Sequence, residues 1–101
     1  MDNFGYVMAT DMLVKNRRKV RFMYRETPAN QYDSGWRFFC GDEDAKYMDV
    51  PNNINIYHIN TILSFDNSIL PCLDNGIGIA FEWNDDAACF IETKNFFSGV
   101  K

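Results

Sequence analysis

The chain has 101 residues, 47% of them hydrophobic and 24% charged, the balance of a single folded domain spanning 1–101, which excludes intrinsic disorder and leaves no room for a second domain. A formal charge of -4 and a pI near 4.7 argue against a nucleic-acid partner, because neutralising phosphates needs a basic surface. No apolar run reaches the ~20 residues of a membrane helix, and Met1 to Thr10 lacks a signal peptide's basic opening and apolar core. The expectation is a cytoplasmic protein with no membrane contact.

In chain order, Phe4 to Thr10 is almost continuously apolar and predicts a first strand, stopped by Asp11. From Val20 to Arg25 the period is two, which predicts a half-buried strand with Val20, Phe22 and Tyr24 on one face and Arg21, Met23 and Arg25 on the other. With Asn16 to Lys19 as the turn, these two strands form a candidate antiparallel pair. Thr27 to Ser34 is a polar loop, and Trp36 to Cys40, between Gly35 and Gly41, predicts a third strand. After the acidic run Asp42, Glu43, Asp44, the residues Pro51 to Asn53 mark a loop.

Ile56, Ile59, Ile62 and Leu63 then form a helical stripe capped by Asn55. A second short helical turn begins at Asp66 or Ser68, tolerates Pro71, turns Ile69, Leu70 and Leu73 inward and ends at Asn75 and Gly76. Ile77 to Trp83 alternates cleanly and returns through Asn84 to Ala87 into Ala88 to Thr93, a hairpin. The predicted fold is α+β, a mostly antiparallel sheet of about five strands with a short helical insert packed on one face. Phe96 and Phe97 have no clear strand partner and pack either on the sheet or on a second copy, so monomer and homodimer both stay open.

Few residues suggest chemistry. The three cysteines, Cys40, Cys72 and Cys89, are an odd set without close pairing and read as reduced thiols. Asp42, Glu43, Asp44 and Asp49 miss the spacing of a calcium loop, so no metal is expected. Cys40 and His58 are the one thiol and imidazole couple, and nothing in the sequence orients the histidine. No glycine-rich phosphate loop or nucleophile elbow occurs, and the expectation is a non-catalytic protein without a cofactor. Six of the ten cations lie between Lys15 and Arg25. They read as a cationic turn and sheet face offset by the acidic stretch, not as a nucleic-acid surface.

The segment from Arg25 to Tyr47 is densest in groups that bind partners. Arginine forks to carboxylates and tryptophan offers a rigid contact. The same residues also suit an internal role, with Arg25 or Arg37 paired to Asp33 or Asp42 across a loop and Trp36 filling the core.

Met23, Tyr24, Arg25, Glu26 and Pro28, then DSGWRFFCGDED from Asp33 to Asp44, Tyr47, Met48 and Asp49, and finally Ile56, Tyr57, Asn60, Thr61 and Ile62 carry a family resemblance. Over roughly Tyr6 to Phe81 the chain resembles bacterial immunity-protein family thirty-three of polymorphic toxin systems, a domain long catalogued as being of unknown function. Cys40 stands where a serine or other small residue is expected. The resemblance implies a small cytoplasmic protein that binds and neutralises a toxin delivered by neighbouring cells or carried by the producer. It brings no catalytic residues. The expected partner-binding set is Arg25, Asp33, Trp36, Arg37, Asp42, Glu43, Asp44 and Tyr47, with the acids steering a basic toxin. The alternative is a small-ligand-binding or regulatory domain whose pocket is ringed by Arg25, Asp33 and Arg37.

Overall fold

The computed structural model describes residues 5–93. It is α+β, an open sheet of six strands: β1 (Tyr6–Thr10), β2 (Phe22–Arg25), β3 (Asp33–Phe39), β4 (Ile54–His58), β5 (Ala80–Asn84) and β6 (Cys89–Glu92). Their order across the sheet is β4-β1-β3-β2-β5-β6. Only β1 and β3 run parallel; every other neighbouring pair is antiparallel. The expected terminal strand residue Phe4, and Phe96 and Phe97, lie outside the described residues.

Cross-strand partners share a face, so the register separates the two sides of the sheet. Val7 and Ala9, Trp36 and Phe38, Met23, and Phe81 lie on one face. Three short helical pieces cover it: α1 (Asp11–Lys15), α3 (Ile59–Leu63) and a 3-10 segment, Asn67–Cys72. They contribute Leu13, Ile59, Ile62 and Ile69 to a core that also holds Val20, Cys40 and Leu73. Each piece is started by its own cap. Thr10 Oγ1 accepts from Leu13 N, His58 Nδ1 from Asn60 N, and Asp66 Oδ1 from Ser68 N. Asp66 also accepts from Val20 N at 2.9 Å and Lys19 Nζ at 3.0 Å. Burial works against its charge, and these bonds with those from Ser68 outweigh it and hold the carboxyl below its usual range.

The opposite face carries Tyr6 and Met8, Arg37 and Phe39, Phe22 and Tyr24, and Ile54 and Ile56. Among the described residues it is only partly covered. A short helix α2 (Ala45–Met48) brings Met48 over Met8, Tyr24 and Phe39, leaving a cavity of about 140 Å³.

Four expectations need correction. First, β1 and β2 are not a hairpin. Asp11–Lys15 forms α1, which buries Leu13 and carries the chain across β3, so that β2 lands between β3 and β5. Second, the facing of β2 is reversed: Met23 is in the core, while Phe22 and Tyr24 are half-buried on the open face beside Phe39. Val20 is buried from the irregular segment before the strand, so it does not share the strand's alternation.

Third, no helix starts at Asn55. Residues 54–58 pair with the free side of β1 as β4, and the helix begins only after His58. Fourth, Leu70 is 46% exposed, so the 3-10 turn sends inward only Ile69 and the following Leu73. The third strand is longer than expected and contains Gly35. The β5–β6 hairpin forms as expected, although β5 starts at Ala80 and leaves Ile77 exposed.

Candidate functional site

The residues of the Asp33-Ser34-Gly35-Trp36-Arg37 run act together on the backbone. Two steps along β1, Tyr6 to Met8, match four along β3, Asp33 to Arg37. The surplus is a bulge at Ser34 and Gly35 that leaves the facing of later residues unchanged. Its amides are satisfied locally, Gly35 N by Asp33 Oδ1 at 2.9 Å and Trp36 N by Ser34 Oγ at 3.2 Å. Gly35 sits at φ +92, where a β-carbon would stand 2.2 Å from the Glu26 carbonyl oxygen, a place for glycine alone.

Arg37 folds back over the bulge. Its Nη1 and Nη2 donate to the two oxygens of Asp33 at 2.9 and 2.8 Å, and Nε donates to Glu26 Oε2 at 2.6 Å. This is the bidentate fork geometry that gives the strongest charge-assisted bonds. The Arg37 hydrogen bonds, with backbone donors at Ala29 and Gly35, hold the Asp33 carboxyl far below the usual range against the opposing effect of burial. Burial pulls the Arg37 guanidinium down, and its two carboxylate partners outweigh this and raise it.

The predicted site residues therefore fall into separate places. Trp36 is fully buried, and its Nε1 donates to the Leu73 carbonyl at 3.2 Å. Its ring fills the core, the internal role that the sequence also allowed it. Arg37 and Asp33 are enclosed with each other. Arg25 is half-buried, reaching the Ser34 carbonyl through Nε and the Asn75 carbonyl through Nη1.

Glu43 is also turned inward. It accepts from Thr10 Oγ1 at 2.5 Å and from the amides of Cys40 and Gly41, both at 2.9 Å. Tyr47 Oη accepts from Met12 N at 2.8 Å. These two side chains fasten the turn after β3 to the β1–α1 junction. The turn shows Asp42, Asp44 and Asp49 to solvent, together with Ala45 and Lys46. Asp42 pairs with Arg18, and Asp44 caps α2 by accepting from Tyr47 N at 2.8 Å.

The basic stretch is spent inside the molecule. Lys15 pairs with Asp11, Arg18 with Asp42, Lys19 with Asp66 and Arg21 with Asp85. Lys19 Nζ also lies 3.7 Å from the Trp83 ring centroid, and Arg17 stacks over Phe65. Sequence reasoning passed over a second acidic patch at the β5–β6 hairpin, where Glu82, Asp85, Asp86 and Glu92 line a shallow cleft. Its signal was available as Asp85 and Asp86 within the Asn84 to Ala87 turn and one glutamate, Glu82 or Glu92, on each flanking strand.

Cys40 follows β3 beyond the Ala9 pairing, whereas His58 pairs with Tyr6, so the two lie toward opposite ends of β1. Burial raises the Cys40 thiol above its ordinary value. Tyr57, pushed up to about 12 by burial and by its bond to Asp11 Oδ1 at 2.6 Å, stays protonated. No group of three or more potential metal ligands is assembled among the described residues. None of the described helices is long and apolar enough to cross a membrane.

The open face has one further hollow, of about 270 Å³, lined by Tyr6, Met8, Tyr32, Asp33 and Ile56 among others. Of the three residues expected to ring a small-molecule pocket, Asp33 lines this hollow, Arg37 lines the smaller cavity under Met48, and Arg25 lines neither.

Comparison with known protein families finds an immunity-protein domain in this chain. The chain belongs to the Imm33 family, whose Immunity protein Imm33 domain model matches residues 7–94. No curated protein and no solved structure matches it.

Proposed function

We propose that this chain is a bacterial, cytoplasmic immunity protein that binds a cognate toxin and neutralises it by stoichiometric docking, without a reaction of its own. The supporting observation is the turn from Asp42 to Asp49. Its inward side chains, Glu43 and Tyr47, are bonded to the body of the domain, and its exposed charged side chains are three carboxylates, Asp42, Asp44 and Asp49, against one cation, Lys46. A fixed turn with an excess of negative charge lowers the ordering cost of association and draws in a basic surface. Within the expected contact set, Asp42 and Asp44 would meet the partner, and Arg25, Asp33, Trp36, Arg37, Glu43 and Tyr47 would hold them in place. The small-ligand alternative rests on the 270 Å³ hollow, which is slightly below the ~300 Å³ at which ligand pockets usually begin.

The charge model has a kinetic signature. With the toxin domain encoded beside the gene as the probe, the triple variant Asp42→Asn, Asp44→Asn, Asp49→Asn should associate about 10-fold more slowly at low salt, the scale of electrostatic steering. Dissociation should change little, and raising the salt should erase the difference. Asparagine keeps the cap of α2. Association indifferent to both the substitutions and salt would reject the acidic turn as the first contact.

A further inference from the structure

Among the described residues the outer side of β4 is an unprotected sheet edge, and the geometry points to it as the place where an extended segment of the toxin adds a strand. This inference rests on the toxin-docking reading above.

The backbone parity follows from one bond. Ile59 N donates to Gly5 O at 2.9 Å, which makes residues 59, 57 and 55 the hydrogen-bonded partners of Gly5, Val7 and Ala9 in the antiparallel register with β1. The alternate residues 54, 56 and 58 therefore turn their backbone groups away from the sheet. Ile54 N is used by the Pro51 carbonyl, and the His58 carbonyl begins α3 as its cap residue. The Ile54 carbonyl, the Ile56 N–H and carbonyl, and the His58 N–H remain on the outer edge. No described residue pairs with them, because β4 ends the sheet order.

Natural edges are commonly blunted by lysine, proline, a bulge or an inward charge. The β4 sequence Ile54-Asn55-Ile56-Tyr57-His58 has no Lys, Arg, Asp, Glu or Pro, and its register with β1 is unbroken. By contrast, β6 at the other edge carries Glu92 and the acidic hairpin.

The side chains beside this edge suit the same occupant. Ile56 is 62% exposed and Tyr6 43% exposed. Both border the apolar hollow on the open face, so a strand laid along β4 finds apolar surface for alternate side chains. Asn53 Nδ2 donates to the Tyr47 carbonyl at 2.8 Å, which ties the acidic turn to the start of β4 and offers a basic segment a complementary charge there. The occupant is thus an extended protein segment, apolar at every second position and basic toward the start of β4.

Two measurements on the full chain with the toxin domain encoded beside its gene test this. In the free protein the Ile56 and His58 amides should exchange with solvent faster than those of Asn55 and Tyr57, and in the complex both should become protected. Ile56→Pro deletes an outward donor that β1 does not use, at an edge where proline is tolerated. It should keep the wild-type fold and weaken toxin binding by about 10-fold or more, the scale of lost strand pairing. Wild-type affinity in the folded variant, or Ile56 and His58 amides that still exchange freely in the complex, would overturn the inference and leave the docking function standing. Absence of any complex with wild-type protein would remove both. A homodimer that Ile56→Pro dissolves, with toxin affinity unchanged, would assign the edge to a second copy and overturn the proposal.

Discussion

Replacing Arg37 by methionine is expected to destabilise the fold by about 3–5 kcal/mol, the cost of removing one partner from a buried ion pair. Methionine keeps much of the aliphatic volume, so the loss is electrostatic. The Asp33 carboxylate, enclosed at the bulge, would keep only the Ala29 and Gly35 amides. Glu26, whose side chain is 44% exposed, would return to water at little cost. Total stability for a domain of this size is of order 5–15 kcal/mol, so the variant should melt far earlier in a denaturant titration. Adding Asp33→Asn should recover part of the loss, because the stranded charge goes with it. The exposed pair Arg21–Asp85 is the control, and Arg21→Met should leave the midpoint close to wild type.

The same pair sets an acid limit. Asp33 has a folded pKa depressed below its unfolded value, so its contribution is fully present above the ordinary aspartate pKa of about 3.9. It is lost as pH falls from there toward the folded value. Wild-type stability should therefore decline below about pH 4. In Arg37→Met the decline should be shallower, because the Asp33 pKa no longer has a guanidinium to lower it. A wild-type slope in the variant would show that other carboxyls, Asp66 first, govern acid unfolding.

Gly35→Ala is expected to cost about 3 kcal/mol or more, through backbone strain of order 1–3 kcal/mol plus a contact that cannot relax cheaply. A β-carbon there would stand 2.2 Å from the Glu26 carbonyl oxygen. Relief requires opening the Glu26 N to Gly35 O bond of 2.9 Å and, with it, the loop that places Glu26 on Arg37. Gly78 separates the two contributions, since it too has positive φ, +98, but nothing lies within 4 Å of a β-carbon built on it. Gly78→Ala should show the strain alone, about 1–2 kcal/mol. Equal losses at the two positions, measured by chemical denaturation, would mean that the bulge accommodates a side chain and is not the fixed point described here.

What the sequence made legible was the part whose signal is local. The β5–β6 hairpin is written in the alternation Ile79, Phe81, Trp83 with a polar turn behind it, and Asp66 caps its turn through its own side chain. The errors arise where two patterns fit the same residues. Ile56, Ile59 and Ile62 suit a helical stripe, but Ile54 and Ile56 equally suit a strand, and the vacancy beside β1 decides between them. In β2, lying between β3 and β5, both faces carry apolar residues, so Phe22 and Tyr24 looked like core when Met23 is.

The site was divided for a similar reason. Arginine, aspartate and tryptophan are the residues of contact surfaces and equally of buried locks, and from Asp33 to Arg37 they serve the lock. The acids of the following turn could be read as exposed because nothing apolar alternates with them. The outward groups of β4 had no signature in the sequence, since they follow from its register with β1.

The most direct test of the docking account is a titration of purified toxin domain, taken from the reading frame beside this gene, with the full chain while toxin activity is followed. The account predicts that activity falls linearly to zero at a fixed molar ratio and that the protein is recovered unchanged with the toxin in one complex. Full toxin activity at any excess of the protein, or inactivation by a small fraction of an equivalent, would contradict it.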